Sequence, residues 1–402
     1  MTTETFDSRS IIVAGGGIGG LAAALALSNK GFTVTVLEQA REFGELGAGI
    51  QLGPNAFHAL DRLGVGQEAR SRAVFVDHLI MMDGPSGEKI AEIPVNEPFR
   101  QRFGNPYAVI HRADVHGVLL EGCRKSPHIS LATSKRVVAY ERVPGGVKVI
   151  TADGEHLLAG ALIGADGLRS RVREQVVGDG GPKSSGHICF RAVLPIDQMP
   201  EDLRWNAATL WAGPGTHLVH YPLRGWKEFN IVATFQGEPA AIGPQGLPGD
   251  RDELLFRFRH LSAKPRKILE TAPSWKRWVL GDRDPVENWT DGVVTLLGDA
   301  AHPMHQYFAQ GACMALEDAV CLGDKVAASD GDFAAAFPAY QLLRVVRTAR
   351  VQLSAREIGR HLYHASGVHA EVRTAVLRAK TPEQFYDSLD WIYGGPEEYR
   401  KK

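Results

Sequence analysis

The chain has 402 residues, of which 44% are hydrophobic and 23% charged, and its 45 basic and 46 acidic side chains give a formal net charge of −1. This length and apolar content predict a folded protein of two domains and exclude a disordered chain. The balanced charge gives no basis for binding nucleic acid or an anionic membrane. The uncharged stretch 11–27 is short for a membrane span and lacks a preceding basic segment, so we expect neither a span nor a signal peptide.

The predicted elements begin with a βαβ unit: a β-branched run at 11–13, a glycine cluster, an Ala- and Leu-rich helix and a strand at 33–37. We then expect a helix at 54–63, strands between 76 and 95, a strand at 107–111, a helix at 114–125, a β-meander over 129–157 and a buried strand at 161–165. Further strands are expected at 209–211, 217–222, 229–235 and 293–297, with a helix at 251–261. Beyond 311 the chain is predicted to be helical, including a long helix over 344–364.

These elements predict an α/β fold: a doubly wound Rossmann-like domain with an inserted β-sheet domain and C-terminal helices. The doubly wound domain is discontinuous and comprises 1–75, 98–180 and 286–345. The inserted domain, expected to bind substrate, comprises 76–97 and 181–285, and 346–402 form the C-terminal helical segment. The helix around 386–393 is expected either to cap a domain or to form a dimer surface, so monomer and homodimer both remain open.

Four cysteines are widely spaced and form no Cys-x-x-Cys pair: Cys123, Cys189, Cys313 and Cys321. This usage is typical of reduced thiols that act as small core residues in a cytoplasmic protein. The spacing predicts no metal site.

A glycine motif joins the first strand to the first helix. Gly15 permits the tight turn, Gly17 lets backbone approach a pyrophosphate, and Gly20 lets helix and strand pack closely. The helix N-terminus offers free N–H groups and partial positive charge to phosphates. Glu38, at the end of the second strand, is placed to accept hydrogen bonds from a ribose diol. The unit predicts a dinucleotide site, although the glycines do not distinguish NAD from FAD.

Three charged residues follow other predicted strands. Arg112 is a candidate cation for the pyrophosphate, and Asp166 and Asp299 each close a parallel strand. Taken singly, each is more simply explained as a helix-start, turn or N-cap residue. Because strand ends converge in doubly wound sheets, we expect all three to face one ligand, with Asp299 near ribityl hydroxyls. No second glycine motif or redox cysteine pair follows, so a hydride donor must bind without its own Rossmann domain.

These motifs resemble the three fingerprints of the single-component FAD aromatic hydroxylases, the p-hydroxybenzoate and salicylate hydroxylase superfamily. The matching residues are the 15–20 cluster with Glu38, Asp166-Gly167, and the run Gly298-Asp299-Ala300-Ala301-His302-Pro303. The resemblance implies FAD in the doubly wound domain, NADH or NADPH as hydride donor with NADH favoured, and molecular oxygen as co-substrate. It also implies that Asp299 contacts the ribityl chain, that Asp166 serves both cofactors and that Arg112 lies beside the pyrophosphate.

The predicted strand at 217–222 carries candidate substrate contacts. Side chains alternate along a strand, so His217 and Tyr221 share one face while His220 points the other way. Such a pair suits binding and deprotonation of a phenol, and a hydrogen-bonded His–Tyr pair in the sheet is the alternative. In the loop 303–311, Gln306 either binds a ligand or satisfies loop carbonyls, while Gly311 brings backbone near the flavin ring.

Within the superfamily the chain is most similar to the 3-hydroxybenzoate 6-hydroxylases, on His217, Tyr221, Gln306 and the stretch 44–54. The implied reaction hydroxylates this small aromatic hydroxy acid para to its hydroxyl, through a flavin C4a-hydroperoxide, to give 2,5-dihydroxybenzoate (gentisate). Free phenols have pKa values near 10, so we expect His217 as base, with Tyr221 and Gln306 orienting the ring and hydroxyl. Salicylate and hydroxynicotinate monooxygenases of the superfamily are alternatives. A flavin-free GDI-like protein that binds other proteins is the alternative from another class.

Overall fold

The computed structural model of the protein describes residues 6–44, 47–238, 242 and 246–395. Positions 45 and 46 of the 44–54 stretch lie outside the described residues, as do the ends of the expected domains at 1–5 and 396–402. The strands are β1 (Ser10–Ala14), β2 (Thr33–Leu37), β3 (Gly49–Leu52), β4 (Val74–Phe75), β5 (His78–Asp83), β6 (Lys89–Pro94), β7 (Ala108–His111), β8 (Ile129–Ala132), β9 (Val137–Val143), β10 (Gly146–Thr151), β11 (His156–Ala159), β12 (Ala161–Gly164), β13 (Lys183–Pro195), β14 (Ala207–Gly213), β15 (Thr216–Leu223), β16 (Glu228–Gln236), β17 (Leu247–Pro248), β18 (Lys276–Asp282), β19 (Thr290–Asp291) and β20 (Val294–Leu296).

The helices are α1 (Ile18–Ser28), α2 (Pro54–Arg62), α3 (Gly66–Arg72), α4 (Glu97–Phe103), α5 (Arg112–Lys125), α6 (Arg171–Val176), α7 (Arg251–Arg257), α8 (Ala263–Thr271), α9 (Gly311–Ala328), α10 (Phe333–Glu357), α11 (Val368–Arg378) and α12 (Pro382–Tyr393). A π-helical segment, Ile358–Tyr363, continues from α10. Within the described part of the chain, no helix has both the length and the apolar character needed to cross a membrane.

A six-stranded sheet in the order β19-β20-β12-β1-β2-β8 forms the core of the doubly wound unit. From β20 to β8 all neighbours are parallel, and α1 packs against α5 and α9. This arrangement confirms the predicted Rossmann-like α/β fold. The predicted meander over 129–157 is wrong at its start, because β8 pairs in parallel with β2 after the α5 crossover and only β9–β11 form the antiparallel sheet.

An eight-stranded sheet, β17-β18-β13-β16-β15-β14-β5-β6, contains segments from 78–94 and 183–282. Its apolar face packs on α7 and α8 through a cluster that includes Trp211, Phe229, Phe235 and Phe258. The prediction missed β13 and β18, since Ser, Gly, Lys and Arg residues interrupt their apolar alternation. The helix expected at 251–261 ends at Arg257 and α8 follows separately. The division of the chain into domains stays a prediction.

The described chain beyond residue 311 is mainly helical, as predicted. The helix expected at 344–364 corresponds to the second half of α10, which begins at Phe333, and to the π-helical segment Ile358–Tyr363 that follows it. Tyr386 and Tyr393 of α12 are buried, with their rings edge-on to Phe99 and Phe103 of α4. These tyrosines therefore cap the α4 region and are not available as a surface in this chain.

Candidate active site

A cavity of about 1110 Å³ lies between the carboxyl edge of the six-stranded sheet, one face of the eight-stranded sheet, and helices α9 and α12. Typical small-molecule pockets enclose roughly 300–1,000 Å³, so this one has room for a large cofactor and a small ligand together. The strand ends converge here as predicted, since the residues that follow β1, β12 and β20 all line it.

The glycine motif forms the floor of the cofactor lobe. Gly15 has φ +106°, and a Cβ there would collide with the Ala165 carbonyl oxygen. A Cβ on Gly20, which lies behind the cavity, would collide with the Gly15 carbonyl oxygen. Gly17 is the N-cap of α1, whose first turn holds no acidic residue, so the partial positive charge of the helix is available to a phosphate. The close packing at Gly15 and Gly20 places the N-terminus of α1 at the cavity, and that N-terminus suits the pyrophosphate of FAD.

The Glu38 carboxylate is held at the edge of the same lobe. Its Oε2 accepts a hydrogen bond from Gly16 N at 2.8 Å and its Oε1 one from Ala40 N at 2.8 Å. Glu38 lines the cavity in this fixed orientation, which suits a ribose diol.

The other predicted cofactor residues line the cavity as well. Arg112 begins α5, and Asp299 lies in the turn after β20. Asp166 accepts hydrogen bonds from Ser170 Oγ at 2.5 Å and Arg171 N at 2.7 Å, and burial raises its pKa. Gly311 begins the 18-residue α9, whose N-terminus gives this part of the cavity positive potential. The structure therefore brings the predicted FAD residues together.

The two candidate substrate residues on β15 share the cavity face. His217, Val219 and Tyr221 line the cavity, whereas His220 packs on the opposite face beside Trp211. The alternative of a hydrogen-bonded His–Tyr pair is wrong, because His217 Nδ1 lies 2.7 Å from Nε2 of His364 instead. Burial, reinforced by the nearby imidazole of His364, lowers the pKa of His217 well below its ordinary value, and burial raises that of Tyr221.

Gln306 lines the cavity with both ends of its amide engaged. Its Oε1 accepts from Nη2 of Arg191 at 2.8 Å, and its Nε2 donates to Oγ1 of Thr234 at 2.9 Å. The Gln306 side chain therefore bonds to the eight-stranded sheet rather than to loop carbonyls.

Arg191 of β13 is a cavity residue that the sequence reasoning missed. Its guanidinium lies 5.2 Å from the ring centroid of Trp278, and its Nε is buried without a hydrogen-bond partner. Over the ranges that the structure describes, no carboxylate forms an ion pair with it. A half-buried guanidinium that faces a cavity without a carboxylate partner favours an anionic ligand. No sequence signal marked it, because β13 lacks a clear alternating pattern.

A cluster of aromatic and imidazole side chains closes the cavity near His217. The Tyr307 hydroxyl lies 2.5 Å from Nδ1 of His187, and Nε2 of His305 lies 3.1 Å from Oδ2 of Asp282. Burial, with the charge of His305 as a smaller cause, lowers the pKa of His187 to about 4. The sequence did not reveal the cluster because its members come from distant segments.

Comparisons with known proteins identify the family of the chain. The sequence profile of the family described as FAD binding domain matches residues 8–334. A 3-hydroxybenzoate 6-hydroxylase from Polaromonas naphthalenivorans (strain CJ2) is 52% identical over 385 residues, covering 96% of this chain and 95% of that protein. The 3-hydroxybenzoate 6-hydroxylase 1 of Aquipseudomonas alcaligenes is 50% identical over 386 residues, covering 96% and 98%.

Among solved structures, Klebsiella pneumoniae HpxO complexed with FAD and uric acid matches with a TM-score of 0.84 and 28% identity, covering 96% of this chain and 97% of that chain. The profile match and the two relatives confirm the resemblance to the FAD aromatic hydroxylases. They contradict the alternative of a flavin-free GDI-like binding protein. The chain belongs to the FAD binding domain family, and it is a flavin-dependent aromatic-ring monooxygenase.

Proposed function

We propose that this monooxygenase hydroxylates 3-hydroxybenzoate para to its hydroxyl group to give 2,5-dihydroxybenzoate, with NADH as hydride donor. The observation that supports this most is that His217, a neutral imidazole, and Arg191, a guanidinium without a carboxylate partner, lie on the same sheet face beside the FAD lobe. The names of the relatives at half identity agree with this substrate.

His217 is the base in this proposal. A phenol with pKa near 10 reacts poorly with an electrophilic oxygen, so removal of its proton speeds the step. FAD would supply that electrophilic oxygen atom, with NADH as reductant and molecular oxygen as co-substrate. The residues that would hold FAD line its lobe of the cavity: Gly15, Gly17, Glu38 and Asp299. Burial lowers the pKa of His217, so the ring is neutral, and it accepts the phenol proton as oxygen transfer makes that proton more acidic. Tyr221 orients the ring of the substrate from the same strand.

Arg191 binds the substrate carboxylate. Its strand, β13, is separated from β15 by β16 alone. In register Arg191 lies across from Val219, two residues from His217, and both side chains line the cavity. In 3-hydroxybenzoate the hydroxyl and the carboxylate are meta to each other. In this proposal the hydroxyl contacts His217 and the carboxylate contacts Arg191. The Oε1 atom of Gln306 accepts a hydrogen bond from the Arg191 guanidinium. Gln306 therefore positions the substrate ring indirectly, by holding Arg191 in place.

The test measures NADH oxidation by the FAD-loaded protein with hydroxylated benzoates, quantifying product and hydrogen peroxide. We expect rapid NADH loss with 3-hydroxybenzoate and stoichiometric 2,5-dihydroxybenzoate. Fast NADH loss that yields only peroxide would make this compound an effector and turn the search to salicylate and hydroxynicotinate. Comparing NADH with NADPH in the same assay decides the donor.

Variants test the residue roles. His217→Ala and Tyr221→Phe are compared with a control, His361→Ala. His361 is exposed and pairs with Glu357, and it has no role in the proposed reaction. The assignment is wrong if both His217→Ala and Tyr221→Phe leave turnover unchanged. The expected loss for the missing base is about 10²–10⁴-fold in kcat.

A further inference from the structure

Gln310 lines the cavity with one end of its side-chain amide unused by the protein. The residue comes just before helix α9 and is only 1% exposed. Its Oε1 accepts a hydrogen bond from Asn55 Nδ2 at 2.9 Å. In the described chain no group accepts a hydrogen bond from Gln310 Nε2, and the side chain does not cap α9. The protein therefore holds the oxygen end of the amide and leaves the nitrogen end for a ligand.

A buried ion pair fixes which end of the amide is which. Glu317 pairs with Arg344 and Arg347 at 2.7 Å each, and a carboxylate paired with cations only accepts hydrogen bonds. The Asn55 atom that lies 2.8 Å from Glu317 Oε1 must then be its N–H₂ group. The second hydrogen of that group is donated to Gln310. Gln310 therefore presents its oxygen to Asn55, and its own N–H₂ group is the end that remains for the cavity.

The N-terminus of α9 lies beside the residue expected to contact the ribityl chain. A Cβ on Gly311, next to Gln310, would lie 3.9 Å from Asp299 Oδ1. The cavity continues from there to the sheet face that carries His217. A flavin ring that is attached to a ribityl chain at Asp299 and faces a substrate at His217 passes the N-terminus of α9. The first turn of α9 holds no acidic residue, so the positive end of this helix acts on the same region.

We propose that Gln310 is a flavin-binding residue, whose Nε2 donates a hydrogen bond to a carbonyl oxygen of the pyrimidine part of the ring. When NADH or NADPH gives up a hydride, the nicotinamide is oxidised, and the flavin ring gains that hydride and one negative charge. A hydrogen bond to a charged acceptor is about twice as strong as one to a neutral acceptor. Gln310 therefore stabilises the reduced ring more than the oxidised ring and raises the midpoint potential of bound FAD. This inference requires bound FAD but neither the proposed substrate nor the proposed base.

The experiment measures the midpoint potential of bound FAD by stepwise reduction with dithionite beside a reference redox dye, without substrate or nicotinamide. Gln310→Met keeps the length of the side chain and removes the amide. Gln310→Glu keeps the shape and places a carboxylate oxygen where the N–H₂ group stood. Gln101→Met, at an exposed glutamine of α4, is the matched control. Protein and FAD are both held above the dissociation constant, so a variant that binds FAD weakly is still loaded.

We expect Gln310→Met to lower the midpoint potential by about 30 mV, which is a tenfold loss in the preference for the reduced ring. Gln310→Glu should lower it further, because the carboxylate repels the charge that the ring gains. Asn55→Leu, which frees the Gln310 amide to turn, should lower the potential as well. Gln101→Met should keep the wild-type potential.

A merely structural role of Gln310 predicts a different pattern. Gln310 joins α9 to α2 through Asn55, so loss of this link alone would weaken the oxidised and reduced forms of FAD equally. The midpoint potential would then keep its wild-type value, and that result in both Gln310 variants overturns the proposal. Failure of the protein to form 2,5-dihydroxybenzoate would contradict the proposed function and leave these potentials unchanged.

Discussion

Tyr221 lies directly against Gly49. A Cβ atom at position 49 would come within 2.5 Å of Tyr221 Cε2 and 2.9 Å of its hydroxyl oxygen. The Gly49 N–H donates to Oδ1 of Asn230 at 2.7 Å, which fixes β3 against the eight-stranded sheet. The absence of a side chain at Gly49 therefore sets the position of Tyr221 in the cavity.

We expect Gly49→Ala to push the Tyr221 ring out of place and to raise the dissociation constant of 3-hydroxybenzoate about tenfold, because orientation of the ring is lost. FAD content should stay unchanged. Gly44→Ala is the matched control, since a Cβ there meets nothing within 4 Å. Titration of the flavin absorbance with substrate measures both variants, and equal affinities would contradict the role given to Gly49.

Arg191→Met should weaken binding of 3-hydroxybenzoate by about 1.5–3 kcal/mol, the range for a hydrogen bond to a charged group. Its effect on 3-hydroxybenzamide, which has no carboxylate, should be much smaller. Comparing the two ligands in wild type and variant isolates the guanidinium–carboxylate pair. An equal loss for both ligands would show that Arg191 supports the fold of the site instead.

The buried His220 should make the protein sensitive to acid. Both ring nitrogens lack hydrogen-bond partners among the described residues, and burial lowers the His220 pKa to about 3. The unfolded chain binds this proton below pH of about 6.5, whereas the folded chain does not until near pH 3. Between these values, acidification favours the unfolded state by on the order of 1 kcal/mol per pH unit.

His220→Leu removes the titrating imidazole. Between pH 6.5 and 4 the unfolding free energy of the variant should therefore fall less steeply than that of wild type, by on the order of 1 kcal/mol per pH unit. At pH 7 the variant should be as stable as wild type or more so, since no hydrogen bond is lost. Urea denaturation at pH 7 and pH 5 measures the difference, with His361→Ala as the exposed control. The same pH slope in His220→Leu and wild type would contradict the prediction.

A buried ion-pair network holds the loop after β20. Arg344 lies 2.7 Å from Oε2 of Glu317 and 2.7 Å from Oδ1 of Asp318, and all three are buried. Asp318 Oδ2 also lies 2.5 Å from His302 Nε2 and accepts from Gly298 N at 3.2 Å. The network therefore supports the turn that carries Asp299.

Arg344→Met should destabilise the protein by about 3–5 kcal/mol, because the buried Asp318 carboxylate loses its guanidinium partner and, of its two arginine partners, Glu317 keeps only Arg347. Arg171→Met, which removes an exposed pair with Glu174, should cost at most about 1 kcal/mol. Thermal unfolding and the FAD-to-protein ratio measure both variants. A Tm loss for Arg344→Met no larger than for Arg171→Met would show that the network contributes little.

The sequence by itself determined the cofactor site and the fold class. Gly15, Gly17, Gly20 and Glu38 lie within one contiguous βαβ unit, whose turn and helix geometry follow from local backbone chemistry. The alternation of His217, His220 and Tyr221 along β15 was equally readable, because it depends only on the period of a strand.

Only the tertiary structure decided the partners of those side chains. His217 and His364 are 147 residues apart, and Arg191 and Gln306 are 115 residues apart. Such pairs arise when an eight-stranded sheet folds against a loop and C-terminal helices, and β13, which carries Arg191, lacks a clear alternating pattern of its own. Local propensity and periodicity describe neighbours along the chain, whereas contacts across the cavity depend on how distant elements pack.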